Sequence, residues 1–146
     1  MSSYYFRTYG YGVQISELEK VSMSKVMELI QTAPKFAQTF NKWLSDNDIK
    51  EPTLDDLRDF DEDYCLGLAT VLSEVITECE KMCILTACGD LNGETFLMYT
   101  QTYPWYMNEK EKNMTPEDIQ TLLKKYISKI TDEAITIDYY DPENGG

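Results

Sequence analysis

Apolar residues recur at intervals of three or four along four stretches of the chain, a spacing that predicts four amphipathic helices. The first is expected after Ser22 or Ser24, either of which can cap it. The second is expected after Thr32, because Pro34 suits the first turn of a helix. The third, over Asp61–Met82, has the broadest apolar face and is expected to be the central helix of the core.

Capping residues mark two more helix starts. Thr115 and Pro116 open the fourth helix, whose first turn is acidic. Thr53 and Asp56 have the spacing of a capping box, with aspartate in place of the usual glutamate. A helix is therefore also expected to begin at Thr53.

Aromatic and β-branched runs predict the strands. The first covers residues 4–15, where Gly10 and Gly12 are expected to mark a bulge or an exit from pairing. Residues 83–90 and 94–100 flank an Asn-Gly pair, which predicts a hairpin.

A last strand over residues 134–140 completes the order β-α-α-α-β-β-α-β. Each helix must bury one face, so this order predicts a single α+β domain over residues 1–140. In it, one layer of helices packs on a four-stranded, largely antiparallel sheet. Residues 141–146 are expected to form a disordered tail.

The charge of the chain indicates the class of partner that it can bind. The chain has 26 acidic and 13 basic side chains and no histidine, for a net charge of −13. Residues 46–63 hold nine of the acids against Lys50 and Arg58, a local net charge of −7. Such a surface repels nucleic acid and attracts basic proteins. Without histidine, the chain lacks the usual general base near neutral pH and the commonest metal ligand.

Signatures of catalysis, metal binding and cofactor binding are missing from the sequence. It has no glycine-rich phosphate loop, nucleophile elbow or zinc-binding spacing, so a non-enzymatic protein without a cofactor is expected. On one helix, Cys65 and Cys79 would lie roughly 21 Å apart and could not share a metal ion. The residues from Asp90 onward do not complete a calcium loop. The four cysteines are interpreted as reduced thiols.

Neither a membrane-spanning segment nor a signal peptide is predicted. No apolar run approaches the ~20 residues that cross a bilayer. The first residues, Met-Ser-Ser-Tyr-Tyr, lack the basic and apolar regions of a signal peptide. A cytoplasmic protein without membrane contact is therefore expected.

The acidic segment is the first candidate binding surface. Helix starts explain part of it, because acids there interact favourably with the backbone dipole. Like charges at i, i+4 and i+8 on a continuous helix repel one another, however, and neighbouring carboxylates stand roughly 5–6 Å apart at Cβ. This spacing resembles that of successive phosphates, so a groove lined with lysine and arginine could accept the segment in place of nucleic acid. The predicted contacts are Asp55, Asp56, Asp59, Glu62 and Asp63.

Aromatic residues form the second candidate surface, since the chain has eleven tyrosines. Alternation places Tyr5 and Tyr9 on one face of the first strand, where helices on the other side of the sheet would leave rings accessible. Such rings are frequent at binding hot spots, although tyrosine also favours strands in general. Trp105, within Tyr103–Met107, is expected either to plug the edge of the core or to lie on an exposed binding loop.

In size, acidity, α+β order and the terminal Glu143–Gly146, the chain resembles small acidic proteins of Gram-positive phages and mobile elements. Some of those proteins are anti-CRISPR proteins. The resemblance implies a cytoplasmic inhibitor that blocks a nucleic-acid-binding groove on a host defence enzyme. Two alternatives stay open: a toxin-neutralising immunity protein and a small-molecule-binding domain that uses the tyrosine-rich sheet.

Overall fold

The computed structural model describes residues 10–61, 66–81, 85–89, 93–99 and 114–140, with the backbone alone at residues 10, 11, 139 and 140. These residues form an antiparallel sheet and five α-helices. In chain order the elements are β1 (Gly10–Gln14), α1 (Met23–Gln31), α2 (Pro34–Asp46), α3 (Leu54–Phe60), α4 (Leu68–Glu80), β2 (Leu85–Gly89), β3 (Thr95–Tyr99), α5 (Pro116–Ile127) and β4 (Asp138–Tyr140).

Three five-residue strands form the body of the sheet. Leu97 of β3 lies opposite Ala87 of β2 on one side and opposite Val13 of β1 on the other, and both pairings are antiparallel. The three-residue β4 pairs with the outer edge of β1, which gives the spatial order β2-β3-β1-β4. The predicted α+β class is confirmed, and so is the antiparallel pairing expected of the hairpin.

The predicted order of elements is not confirmed between α2 and β2, because it counts one helix where the structure has two, the first of them at the start predicted from Thr53. Apolar spacing predicts a helix over Asp61–Met82, but α3 ends at Phe60 and α4 spans Leu68–Glu80. Asp61 leaves the helical region, with φ −91° and ψ 61°. Gly67 adopts φ +64°, a conformation that glycine accepts without steric penalty.

This break shows that the acids spaced i, i+4 and i+8 do not share one continuous helix. Asp55 and Asp59 lie one turn apart on α3, but Asp63 follows the end of that helix and lies outside the described residues. Asp61 is not in the first turn of a helix either. Its carboxylate accepts hydrogen bonds from the Leu66 backbone N–H at 2.9 Å and from the Thr70 hydroxyl at 2.7 Å. It therefore ties the chain after α3 to the start of α4.

The main core lies between the helices and one face of the sheet. Val13 and Leu97 belong to the same buried cluster as apolar side chains from all five helices. The predicted apolar face of α4 is confirmed in that cluster by Val71, Leu72, Val75 and Ile76.

The other face of the sheet is also buried where β2 and β3 pair. Cys88 and Phe96 are each 5% exposed and Met98 is 0% exposed, and the three form a separate apolar cluster. By strand alternation they point away from Leu97 and the helices. The expectation of accessible rings concerns Tyr5 and Tyr9 of the first strand, which lie outside the described residues.

Gly12 lies within the strand ladder, so the predicted bulge or exit from pairing is wrong at this position. It pairs with Met98 on β3 and with Asp138 on β4. A Cβ atom at Gly12 would collide with the Leu97 carbonyl oxygen and lie 2.7 Å from the Met98 sulfur. The position thus requires glycine because another backbone approaches closely. Residues 4–9 of the predicted strand lie outside the described residues.

Three predicted helix starts are confirmed by their hydrogen bonds. The Ser22 hydroxyl accepts from the Lys25 N–H, at the start of α1. The Asp56 carboxylate accepts from the Thr53 N–H at 2.7 Å, at the start of α3. Thr115 caps α5 in a reciprocal box with a residue three positions later.

The predicted cap of α2 is wrong. Thr32 ends α1, where its hydroxyl donates to the Leu29 carbonyl, and Ala33 occupies the N-cap position of α2. Glu78 of α4 supplies the missing acceptor, since its carboxylate binds the backbone N–H groups of Lys35 at 2.8 Å and Phe36 at 2.9 Å. The exposed donors at the start of one helix are thus satisfied by a side chain from another.

No helix within the described ranges is both long enough and apolar enough to cross a membrane.

Candidate protein-binding surface

The sequence-predicted contacts separate into described and undescribed residues. Asp55, Asp56 and Asp59 lie on α3. The other five predicted contacts lie outside the described residues: Glu62, Asp63, Tyr5, Tyr9 and Trp105.

The three aspartates of α3 are in different environments. Asp56 is half-buried, and its carboxylate is engaged by the Thr53 backbone N–H and, at 3.2 Å, by the Thr53 hydroxyl. Asp55 and Asp59 are exposed, and no hydrogen bond or ion pair joins either of them to another described residue. Asp56 therefore has a structural task as a helix cap, whereas Asp55 and Asp59 leave their charge available to a partner.

A cleft of about 410 Å³ opens between the start of α2, the end of α3 and one side of α4. The name acidic cleft is used below for the site formed by six of its lining residues, which combine carboxylates, aromatic rings and one lysine: Lys35, Phe36, Phe60, Asp61, Glu74 and Glu78. Its volume is within the range of pockets that hold small ligands or single side chains. Asp59 directly precedes Phe60 in the chain, and neither Asp59 nor Asp55 is among the residues that line the cleft.

The aromatic wall of the acidic cleft belongs to a larger cluster of rings. Phe60 packs edge-to-face against Phe36, Phe40 and Trp43 of α2, with ring centroids 5.8, 5.0 and 5.4 Å apart. These contacts attach the short α3 to α2, and aromatic pairs of this geometry each stabilise by about 0.5–1.5 kcal/mol beyond their buried area. Phe36 and Phe60 are half-buried, which leaves part of each ring facing the cleft.

Two carboxylates of the acidic cleft are held in place. Glu78 is fixed by the first N–H groups of α2, and Asp61 by the Leu66 N–H and the Thr70 hydroxyl. An ionised carboxylate has about four lone-pair sites, so each retains capacity for a further donor.

The third carboxylate of the acidic cleft, that of Glu74, is not held in place by a described residue. Glu74 is exposed, and no hydrogen bond or ion pair joins it to the part of the chain that the structure describes. Lys35, at the start of α2, is the one basic residue among those that line the cleft, and it forms no ion pair with another described residue. Three carboxylates and one ammonium thus give the cleft a negative balance.

Sequence reasoning missed the part of this surface that α4 provides. Glu74 and Glu78 are four residues apart on the polar side of a helix that the apolar pattern predicts, so their shared face could have been inferred. Their position beside Phe36 and Phe60 depends on how α2, α3 and α4 pack. No local pattern in the chain encodes that packing.

A second group of ionisable side chains, outside the acidic cleft, joins α4 to α5. Tyr126 of α5 donates its hydroxyl to Glu80 of α4, and Lys125 pairs with the same carboxylate at 3.1 Å. Burial, and then the hydrogen bond and charge of Glu80, raise the pKa of the Tyr126 phenol above its usual value. These contacts hold α4 and α5 together. The raised pKa keeps Tyr126 protonated near neutral pH.

Possible metal ligands and two of the four cysteines can be placed within the described ranges. No cluster of three or more cysteine, aspartate or glutamate residues there could hold a metal ion. Cys79 is half-buried and contacts Thr32, and Cys88 is buried in the second face of the sheet. Cys65 and Cys83 lie outside the described residues.

No protein-family model matches the chain, and no curated protein or solved structure shows significant similarity to it.

Proposed function

We propose that the protein is an acidic, non-enzymatic inhibitor that occupies a basic, nucleic-acid-binding groove of a partner enzyme, as anti-CRISPR proteins do. The observation that carries the proposal is a group of three exposed carboxylates on α3 and α4 that have no partner among the described residues; one of them, Glu74, lines the cleft. This group, called the acidic corner below, consists of Asp55 and Asp59 on α3 and Glu74 on α4.

The electrostatics of the acidic corner support this proposal. In a chain of net charge −13, each of these carboxylates is repelled by the others and is not compensated within the described structure. A groove lined with lysine and arginine would remove that repulsion on binding. The same charge would accelerate association at low ionic strength. Binding would weaken as the salt concentration rises, because salt screens the attraction between the two surfaces.

The geometry of α3 supports mimicry of a nucleic-acid backbone over a short distance. Asp55 and Asp59 are four residues apart on one helix, which sets their Cβ atoms roughly 5–6 Å apart. Because α3 has seven residues and ends at Phe60, it presents two such charges. Glu74 extends the negative surface from a second helix, so the acidic corner does not depend on one continuous ladder of acids.

Affinity capture from nuclease-treated host lysate, followed by elution with increasing salt, tests the proposal. We expect a nucleic-acid-processing enzyme to be retained at physiological salt and released as the salt is raised. Added duplex or guide nucleic acid should compete for its groove. Retention of a partner that binds no nucleic acid, such as a secreted-type toxin, would contradict the proposal and favour the immunity-protein class.

A charge-reversal pair identifies the contact surface. Asp55→Lys with Asp59→Lys should weaken binding of the captured enzyme by about 10-fold or more and reduce its salt dependence. Folding should be nearly unaffected, because the loss of an acid in the first turn of α3 is offset by the gain of a base in its last turn.

The matched control is Glu28→Lys with Asp132→Lys. These acids are exposed, lie outside the acidic cleft and form no hydrogen bond or ion pair with described residues. The control pair changes the net charge by the same amount. Equal weakening by both pairs would show that net charge alone governs binding and that the acidic corner has no particular role.

A further inference from the structure

The acidic cleft combines features that favour a cation with a flat, apolar face. Glu74 has no partner among the described residues, and the Glu78 and Asp61 carboxylates keep unused acceptor sites. Phe36 and Phe60 expose part of their rings to the same space. A cation over an aromatic ring is attracted by the negative face of the ring, so carboxylates and rings here favour the same kind of guest.

We propose that the acidic cleft receives a single arginine side chain of the partner protein, and that this arginine anchors the complex. The inference rests on the proposed function, since it names the group of the partner that the site recognises. The guanidinium would lie against Phe36 or Phe60 and donate hydrogen bonds to Glu74 and Glu78.

Arginine fits this site better than lysine for two physical reasons. Its planar guanidinium presents five N–H donors in a fixed fork, which can serve several carboxylates at once. It is also less strongly hydrated than an ammonium and stacks on aromatic rings. Lysine would offer a compact point charge that can approach one carboxylate but gains less from the rings.

The walls of the acidic cleft are already held in place for such a guest. Glu78 is fixed by the N–H groups of Lys35 and Phe36, and Asp61 by Leu66 and Thr70. Phe60 is packed among three other rings. Side chains that are ordered before binding lose little conformational entropy when the guest enters, so Glu74 is the main group that must become ordered.

Lys35 provides an internal check on this inference. Lys35 is one of the residues that line the cleft, and its positive charge would compete with an incoming cation for the carboxylates. Replacement of Lys35 by alanine should therefore tighten arginine binding, whereas a site for an anion would lose affinity from the same change.

The test uses the full chain and a defined probe, Nα-acetyl-arginine N-methylamide, with the lysine analogue as comparison. Titrations followed by amide NMR should show saturable shifts around residues 35–39 and 70–78, with a dissociation constant on the order of millimolar. We expect the arginine probe to bind about five times more tightly than the lysine probe.

Matched variants decide between specific and diffuse binding. Glu74→Gln keeps the shape of the side chain but removes its charge, and it should weaken the arginine probe by about fivefold. Glu28→Gln, on α1 and outside the cleft, should leave the titration unchanged. Equal binding of both probes, or shifts spread over all acidic surfaces, would overturn the inference.

The outcomes for the inference and for the proposed function can be separated. If the enzyme is captured and its binding depends on Asp55 and Asp59 but not on Glu74, the arginine pocket is wrong and the inhibitor proposal stands. If the probe binds the cleft but no basic partner is captured, the proposed function fails. In that case the cleft is a receptor for a small cationic ligand.

Discussion

Glu80 and Glu74 lie six residues apart on α4 in contrasting surroundings. The Glu80 side chain is 13% exposed, and it binds the Tyr126 hydroxyl and the Lys125 ammonium of α5. Glu74 is exposed and has no partner in the described part of the chain. One glutamate therefore joins two helices, while the other contributes charge to a cleft and no hydrogen bond or ion pair to the described structure.

The contrast shows why acid content alone says little about function in this protein. Many of its carboxylates are structural: Asp56 and Glu78 cap helices, Asp61 fixes a connection, and Glu80 joins α4 to α5. The informative acids are those without a structural partner. Removal of an acid that has a structural partner should therefore reduce the stability of the fold. Removal of an acid without such a partner should affect binding alone.

The largest effect on stability is expected at the joint between α4 and α5. Glu80→Ala removes the acceptor of the Tyr126 hydroxyl and should lower the free energy of unfolding by about 2 kcal/mol, because a mostly buried donor then lacks that partner. Urea denaturation measures the loss. Glu80→Gln retains an acceptor and should be less destabilising, whereas equal losses in both variants would assign the effect to packing rather than to the hydrogen bond.

A smaller effect is expected within the acidic cleft, where Glu78 and Glu74 form a matched pair on one helix. Glu78→Ala removes the cap of α2 and should reduce stability by about 1 kcal/mol. Glu74→Ala should change stability by no more than about 0.5 kcal/mol.

Urea denaturation gives both free energies, and amide exchange locates the change. Exchange at Lys35 and Phe36 should accelerate in Glu78→Ala and stay as in the unmodified protein in Glu74→Ala. If Glu74→Ala is the more destabilising of the two, Glu74 has a structural task and the contrast drawn here fails.

The smallest effect is a pH dependence at Glu133. Hydrogen bonds from the backbone N–H groups of Glu19 and Lys20 hold the pKa of this carboxyl below its usual value. Its contribution to stability is therefore present above the usual pKa of a glutamate and is lost as the pH falls through the lowered pKa of the folded state.

Melting temperatures between about pH 7 and pH 3 measure this contribution. Over that range the unmodified protein should lose more stability than Glu133→Gln, which cannot titrate. Asp132→Asn, at an exposed neighbour without a partner among the described residues, should follow the unmodified protein. Parallel profiles for all three proteins would show that the Glu133 contacts contribute nothing.

Local signals account for the parts of the fold that the sequence predicted. The Thr53–Asp56 and Thr115–Asp118 pairs cap their helices within three residues. The pairing of β2 with β3 follows from the Asn-Gly pair that separates them in the sequence. The apolar face of α4 follows from helical periodicity. Each of these features depends on neighbours in sequence, so residue patterns encode it.

The features that were missed depend on distant contacts. Apolar spacing continues across Asp61–Gly67, and only the hydrogen bonds of Asp61 and the positive φ of Gly67 reveal that the helix is broken there. Gly12 is required because β3 approaches it closely, a fact that its own neighbours do not show. The acidic cleft arises where α2, α3 and α4 meet. The sequence could thus indicate acidic residues as candidates, but not which of them lack structural partners.

The cap that Glu78 places on α2 also affects the order in which the molecule can form during synthesis. Glu78 follows Lys35 by 43 residues, so α2 is synthesised well before its acceptor. At roughly 5–20 residues per second, the delay lasts a few seconds. Until then, the first turn of α2 can be satisfied by water alone, and the helix gains its full stability when α4 docks. The nascent chain should therefore acquire protease resistance in α2 and α4 together rather than one after the other.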